Sequence, residues 1–283
     1  PTAIRVMAAL QAAQELLPAL RHLRKAIDAR GKALGRQAKT GRTHLMDAMP
    51  LTFSQEFGAW SAQLESARMR IEDSLARVRR LPIGGTAIGS GVNAHPKFGK
   101  GVARALSAAT GAKFGQAANT FEGIAAQDDL VELSGQYNAL AVALMKIGND
   151  LRWMNSGPLA GLGEIELPAL QPGSSIMPGK VNPVIPEALC MAAAMRALAD
   201  QAIAGLKVRK DLVAAALGRN PILVTALNPL IGYEAAAKIA KRAYAEGRPV
   251  LDVAREDTGM DEAALRRLLD PVALTRGGMP AGS

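Results

Sequence analysis

Residues 133–154 read LSGQYNALAVALMKIGNDLRWM, and this stretch indicates the fold class. Its apolar side chains recur at alternating spacings of four and three residues, which is the pattern of one face of an α-helix. The members of this stripe are Leu133, Tyr137, Leu140, Leu144, Ile147, Leu151 and Met154. A pattern sustained over about three heptads is typical of long helices that pack in bundles. Val131, Val142 and Met145 lie off this face, so we expect the helix to be covered on several sides.

The same helical periodicity recurs before and after this stretch, and no convincing alternating strand pattern interrupts it. An earlier stripe consists of Phe57, Trp60, Leu64, Ile71, Leu75 and Val78. A later helical stretch covers 221–246 and ends at Gly247, a residue type that favours the C-terminal end of helices. The sequence therefore predicts an all-α fold, an elongated bundle of long helices.

The domain prediction divides the chain at Gly247. Residues 1–246 are expected to form a central helical bundle, and residues 247–283 a small helical C-terminal domain. In the latter, Asp261 is placed to cap a short helix that carries leucines on one face. Those leucines are Leu265, Leu268 and Leu269.

Composition excludes several classes of protein. The chain has 283 residues, of which 49% are hydrophobic and 21% charged, the balance of a folded globular protein rather than a disordered one. The single cysteine, Cys190, excludes a disulfide framework and a multi-cysteine zinc site, and favours a reducing, cytoplasmic compartment. No uncharged apolar run is long enough to cross a bilayer, so we expect no membrane span.

The charge balance raises nucleic acid as a partner, but the aromatic content argues against it. Lys and Arg exceed Asp and Glu by 34 to 25, a net charge of +9. Only 4% of residues are aromatic, and no stripe interleaves them with basic residues, as single-strand binding requires. A solvated basic surface that attracts small anions is the simpler interpretation, and we expect no nucleic-acid partner.

Three polar stretches rich in glycine or proline interrupt the helices: 39–50, 81–101 and 157–186. Chemistry is expected there, because loops carry function on a rigid scaffold. The glycines at 84–91 superficially suggest a phosphate loop, but they lack its Lys-Ser/Thr end and follow a helix, so a turn where backbones pass closely is the better interpretation. His44 lies in the first interruption, and its spacing from the other two histidines predicts no metal site.

The strongest motif is the segment 172–183, PGSSIMPGKVNP, with Glu187 just beyond it. Its glycines and prolines shape a loop that presents hydroxyls, an ammonium and an amide. Asn182 before Pro183 resembles the cap and first residue of a helix. A helix N-terminus beside Lys180 would suit a carboxylate or a phosphate, although a flexible surface loop is equally compatible with these residues alone.

In combination these segments resemble the fumarase/aspartase superfamily. The loop 173–182 with Glu187 is similar to its signature loop, 40–55 to its histidine-bearing region, and 81–93 to its glycine-rich region. Thr43-His44-Leu45 resembles class II fumarases, whereas aspartases tend to carry Gln in place of His44. The resemblance implies reversible hydration of fumarate to (S)-malate, with neither cofactor nor metal. It also implies a homotetramer whose active sites are shared between subunits.

The resemblance also implies the roles of individual residues. Ser174 would be the base that takes the C3 proton of malate, with loop amides at 173–175 and Lys180 stabilising its alkoxide. His44 would act through a water or at the substrate hydroxyl, with Glu187 orienting its imidazole. The residues implied to bind substrate are Thr43, Ser175, Lys180, Val181 and Asn182.

The chain departs from the family pattern in two places. Compared with that pattern, the N-terminal domain and its Ser-Ser-Asn-Asp segment do not precede Pro1, and about forty residues, one long helix, are missing near 192–196. Three alternatives therefore remain: an aspartase or another fumarate-forming lyase, an inactive helical oligomerisation fragment, and a basic nucleic-acid binder. Products formed from fumarate with and without ammonium, the intact mass, and salt-dependent nucleic-acid binding separate them.

Overall fold

The computed structural model describes residues 1–177, 180–191 and 198–275, and long α-helices dominate this part of the chain. The predicted break at 192–196 lies outside the described residues. The α-helices are α1 (Thr2–Gln11), α2 (Leu17–Leu34), α3 (Phe53–Val78), α4 (Phe98–Thr110), α5 (Thr120–Ala125), α6 (Asp128–Met154), α7 (Val184–Met191), α8 (Lys210–Arg219), α9 (Asn228–Ile231), α10 (Tyr233–Glu246), α11 (Val250–Thr258), α12 (Glu262–Leu268) and α13 (Pro271–Leu274). The prediction of an all-α fold built from long helices is confirmed. Within the described residues, no helix combines the length and the apolar character that a membrane crossing needs.

Short strands accompany the helices in three two-stranded pairs. The strands are β1 (Ala38–Thr43), β2 (Met46–Thr52), β3 (Arg80–Leu81), β4 (Gly115–Gln116), β5 (Ile165–Glu166) and β6 (Lys207–Val208). β1 pairs with β2 and β5 with β6 in antiparallel fashion, whereas β3 and β4 are parallel. The β1–β2 hairpin occupies the first polar interruption, where no alternating pattern predicted a strand.

Helix α3 follows the hairpin directly, and its first turn explains where it begins. The Thr52 hydroxyl accepts a hydrogen bond from the Gln55 amide at 3.1 Å, and the Gln55 side chain accepts one from the Thr52 amide at 2.8 Å. This reciprocal pair is a capping box, which satisfies backbone donors that a helix end leaves open. The register of α3 is thereby fixed with respect to the end of β2.

The two sequence stripes are buried as predicted. Every member of the α3 stripe is 0% exposed, and in the α6 stripe all members except the half-buried Tyr137 are buried. Complete burial of each large apolar side chain contributes about 1.5–3 kcal/mol. Outside the α6 stripe, Val131 is 71%, Val142 60% and Met145 48% exposed, so within the described chain these side chains lack the cover that we expected.

The chain divides into two compact units. The first contains Pro1–Ala26, Trp60–Asn149 and Ile185–Asp200. The second contains Ile27–Ala59, Asp150–Val184 and Gln201–Ser283, and includes both the hairpin and the loop at 172–183. The predicted domain boundary at Gly247 stays a prediction.

Helices α10 to α12 share one hydrophobic core within the second unit. Its members come from both sides of Gly247, among them Leu227, Val253 and Leu265, each 0% exposed. Gly247 ends α10 with a φ of 62°, and the Asp261 side chain accepts a hydrogen bond from the Ala264 amide at the start of α12. Both predicted helix ends are confirmed. The predicted helix over 221–246 instead begins with a 3-10 segment, Pro221–Leu227, before α9 and α10.

Candidate active site

His44 lies at the tip of the β1–β2 hairpin. The strands pair from Ala38 opposite Thr52 up to Thr43 opposite Met46, which leaves His44 and Leu45 as a two-residue turn. Both have positive φ, 53° and 64°, the conformation of a type I′ turn. Asn and Gly usually occupy such positions, because the left-handed conformation costs other residues about 1–2 kcal/mol each. The backbone is therefore strained where it presents the imidazole, a feature that is common at functional sites.

The tip of this hairpin is exposed while its base is held. Leu45 and Met46 are 67% and 70% exposed. Along the strands, Gly41 passes so close to β2 that a Cβ would lie 2.4 Å from the Met49 carbonyl oxygen, so only glycine fits. The Asn220 side-chain amide donates to the Ala48 carbonyl at 2.9 Å. The position of the tip is therefore set by contacts further down the strands.

The loop at 172–183 is closed at its base by backbone pairing. Pro172 and Val181 form an antiparallel bridge, and the Gly173 amide donates to the Lys180 carbonyl at 2.7 Å. A Cβ on Gly173 would lie 2.6 Å from Oδ1 of Asn182, so this position also requires glycine. The two ends of the motif are thus brought together, and Ser174 directly follows this closure.

The Ser174 hydroxyl has a defined backbone environment. Its oxygen accepts hydrogen bonds from the amides of Ile176 and Met177, each at 3.2 Å. The sequence suggested the amides around 173–175 as candidates for this part; of these, the Gly173 amide donates to the Lys180 carbonyl instead. The side chain is half-buried, so it is both held and accessible. Two amide donors on one oxygen favour negative charge there.

Four other residues of the motif are those implied to bind substrate. Ser175, Lys180 and Val181 are exposed, and Asn182 is half-buried. The Asn182 side-chain amide donates to the Gly173 carbonyl at 3.4 Å. Helix α7 begins at Val184 rather than Pro183, so the capping role that the sequence suggested for Asn182 is not the one observed.

Two groups of predicted residues are thus each held together locally. Thr43 and His44 are neighbours on the hairpin, and the residues from Ser174 to Asn182 share the loop. Within residues 1–177 and 180–191, no hydrogen bond joins either hairpin residue to the loop. Glu187 is half-buried on α7, and its predicted action on the His44 imidazole stays a prediction.

A group of buried charges at the base of the hairpin was missed from the sequence. The Lys39 ammonium, only 1% exposed, lies 2.8 Å from Glu56 Oε2 and 2.9 Å from Glu164 Oε2. Arg42 forms a two-point contact with Glu164, at 2.7 Å for both pairs. The one available signal was the pair of cations in a short segment next to His44, which we interpreted only as part of a polar interruption.

Comparison with known proteins gives concordant matches. The model of a family described as "Lyase" matches residues 1–197, and one described as "Fumarase C C-terminus" matches 223–276. A class II fumarate hydratase from Xylella fastidiosa is 60% identical, with 99% of this chain and 68% of that protein aligned. The corresponding figures for "Fumarate hydratase class II 2" from Pseudomonas aeruginosa are 50%, 99% and 70%.

Solved structures agree with the sequence relatives. The crystal structure of class II fumarase from Schistosoma mansoni superposes with a TM-score of 0.93 at 29% identity, covering 97% of this chain and 69% of that one. The alignment with the Xylella protein runs over 320 positions, whereas this chain has 283 residues, so at least 37 positions of that relative have no counterpart here. This number agrees with the missing segment of about forty residues that the resemblance to the family predicted.

Proposed function

The chain belongs to the class II fumarate hydratase family of lyases, and on that premise we propose that Ser174 and His44 carry out the reversible hydration of fumarate to (S)-malate. In the direction of dehydration, a proton must leave C3 beside a carboxylate, and the hydroxyl must leave C2. The first step needs a base and stabilisation of a dianionic aci-carboxylate, and the second needs an acid. The observation that carries the proposal is the pair of amides on the Ser174 oxygen.

Ser174 serves as the base. A serine hydroxyl has little tendency to lose its proton, so its alkoxide must be stabilised where it forms. The amides of Ile176 and Met177 donate to this oxygen, at 3.2 Å each. Because these donors need no reorganisation, they favour the alkoxide over the alcohol. The alkoxide then takes the C3 proton and becomes the neutral hydroxyl, which releases this proton to solvent before the next turnover while His44 takes one up.

The remaining loop residues hold the substrate. Lys180 and Asn182 bind the carboxylate next to C3, where negative charge accumulates as the proton leaves. Ser175 and Thr43 add hydrogen bonds, and Val181 lines the same pocket. The pairing that closes the loop supports this assignment, because it brings Asn182 beside Gly173, the residue before the catalytic base Ser174.

His44 completes the reaction as the acid. Its imidazolium delivers a proton, directly or through a water, to the C2 hydroxyl, which then leaves as water. Glu187 positions the ring by accepting its second N–H, in the way that a carboxylate fixes the tautomer of other catalytic histidines. The strained turn supports this assignment, since the fold holds a histidine in a conformation that asparagine or glycine would adopt more easily.

The His44→Asn variant is expected to lose at least about ten-fold in kcat without a lower melting temperature. Asparagine removes the acid but suits the positive φ of the turn better. The measurement is kcat as a function of pH, together with a thermal melt. His22→Asn is the matched control, because the His22 side chain is 40% exposed and its ring is paired with Asp200, at 2.6 Å. A pH–rate profile in His44→Asn identical to that of the wild type would argue against the acid role.

The proposed assembly is a cytoplasmic homotetramer with active sites shared between subunits. The exposed apolar side chains of Val131, Val142 and Met145 support association. They lie on helix α6 outside its buried stripe, where a second subunit could cover them.

An NMR product assay tests the function as a whole. Purified protein is incubated with fumarate, with and without ammonium, and its oligomeric mass is measured by light scattering. Malate formed regardless of ammonium, by a species of about four chains, is the expected result. Aspartate formed only with ammonium would move the assignment to an aspartase. A folded protein that forms neither product, or an active monomer, would contradict the proposal in its function or in its assembly respectively.

A further inference from the structure

A buried cluster of four charges lies at the base of the hairpin, and the reaction proposed above does not use it. We refer to Lys39, Arg42, Glu56 and Glu164 as the Glu164 cluster. Glu164 is the centre, since it receives Lys39 at 2.9 Å and the two-point contact of Arg42 at 2.7 Å. Glu56, on α3, contacts Lys39 from the other side at 2.8 Å. Two cations and two carboxylates balance, so no net charge is buried.

The cluster is largely buried, and its two central side chains are almost completely so. The side chains of Lys39 and Glu164 are 1% and 7% exposed, and that of Arg42 is 18% exposed. The Met154 sulfur, 3.1 Å from the ammonium, and the Phe53 ring, 5.2 Å away, complete the surroundings of Lys39. Burial raises the pKa of Glu164, but the hydrogen bonds from Arg42 and the charges of Lys39 and Arg42 together hold that pKa below its ordinary value. Glu164 is therefore an anion that both cations hold in place.

Both cations come from β1, although residues three apart on a regular strand point to opposite faces. The register shift explains how both reach Glu164. Between Thr40 and Arg42, the single Gly41 of β1 is opposite two residues of β2, Ala48 and Met49, and such irregularities increase the local twist. The hairpin is twisted and anchored directly before Thr43 and His44.

We propose that the Glu164 cluster positions His44. Arg42 is the residue through which the cluster holds the chain next to His44. The tip cannot hold its own strained turn, because Thr43, His44, Leu45 and Met46 are all exposed in this chain. A turn with two positive φ values persists only where its surroundings over-determine it. The two-point contact of Arg42 fixes the chain two residues before His44. The turn therefore keeps the geometry that directs the imidazole towards the substrate hydroxyl. This inference rests on the proposed function, in which that imidazole moves a proton.

Arg42→Lys is the variant that isolates the contact. Lysine keeps the positive charge near Glu164 but cannot make the planar two-point contact, so charge balance survives while the fixed geometry is lost. We expect kcat to fall by about ten- to a hundred-fold, since small misplacements of a catalytic group have effects of this size, and KM to stay within about two-fold. Arg242→Lys is the matched control. Arg242 contacts three carboxylates in an exposed cluster of the C-terminal helices, and the same change there is expected to leave kcat unaltered.

A double-mutant cycle shows whether Arg42 acts through His44. In the His44→Asn background, Arg42→Lys is expected to lower kcat by less than about two-fold, because no catalytic ring remains to be misplaced. Equal losses in both backgrounds would overturn the proposal, and so would an Arg42→Lys enzyme with wild-type kcat. Glu164→Gln, which keeps an acceptor for Arg42, serves for the same cycle if Arg42→Lys fails to fold.

A spectroscopic measurement separates this inference from the proposed function. The chain contains only 3 histidines, so ¹³C-histidine spectra contain few ring signals, and His44→Asn identifies the signal of His44. Arg42→Lys is expected to shift or broaden that signal and to leave those of His22 and His95 unchanged. An unaltered His44 signal would overturn the positioning role even in an active enzyme. A wild-type protein without fumarate hydratase activity would contradict the proposed function. The effect of Arg42→Lys on the His44 signal could still be measured in that protein.

Discussion

Replacement of Ser174 by alanine is expected to abolish detectable turnover, a loss of at least about a thousand-fold in kcat, while the protein remains folded. Alanine cannot accept the C3 proton, and among the described loop residues, 172–177 and 180–183, no other group receives two backbone amides as the Ser174 oxygen does from Ile176 and Met177. Loss of these two hydrogen bonds at a half-buried site costs about 1–2 kcal/mol of stability, which leaves the fold intact. The measurements are kcat and KM for malate and a thermal melt.

Ser175→Ala is the comparison that makes this result specific to one hydroxyl. Ser175 is the exposed neighbour, and in the proposed mechanism it contributes a hydrogen bond to substrate rather than a base. Its loss is expected to raise KM by up to about ten-fold, the equivalent of one hydrogen bond, with a smaller change in kcat. Ser174→Ala retaining more than a tenth of wild-type kcat would eliminate Ser174 as the base. Equal losses for both serines would remove the distinction between them.

The sequence predicted the helices well because burial on one helix face leaves a periodic record. The α3 stripe from Phe57 to Val78 is buried throughout, and Gly247 and Asp261 mark helix ends by residue type. Each of these signals depends only on residues close together in the chain, so a single sequence is enough to recognise it. Exposure of Val142 could not be read in this way, because an apolar residue carries no record of whether its own chain or a partner covers it.

The hairpin was missed because its buried positions do not alternate with exposed ones and include polar side chains. A half-buried strand is recognised by alternating apolar and polar residues, but β1 buries Ala38, Lys39, Thr40 and Gly41 in succession. Lys39 can be buried only because Glu56 and Glu164, distant in sequence, contact it. Such pairings are tertiary facts that no local pattern contains. The amides of Ile176 and Met177, which donate to the Ser174 oxygen, were missed for a similar reason, because no local pattern shows that the Gly173 amide pairs with the Lys180 carbonyl.

Lys39→Met is expected to lower the free energy of unfolding by about 3–5 kcal/mol, the largest stability effect that the described charges predict. Methionine keeps the volume and apolar stem but removes the ammonium, which leaves two carboxylates in a buried site with Arg42 as their remaining cation. For a chain of this length such a change corresponds to a melting temperature lower by about 10 °C. Lys238→Met is the matched control, because Lys238 is exposed on α10 and surface changes usually stay within about 0.5 kcal/mol.

The pH dependence of this difference tests its electrostatic origin. The pKa of Glu164 lies below its ordinary value of 4.5 in the folded protein, so its ionised form contributes stability above that pH. The contribution is lost as the pH falls through the lower, folded-state pKa, because a protonated Glu164 no longer needs its cations. Lys39→Met has lost part of this contribution already, so the gap between the two melting temperatures is expected to narrow as the pH falls below about 4.5. A gap that stays constant down to pH 3 would show that Lys39 stabilises the fold by packing alone.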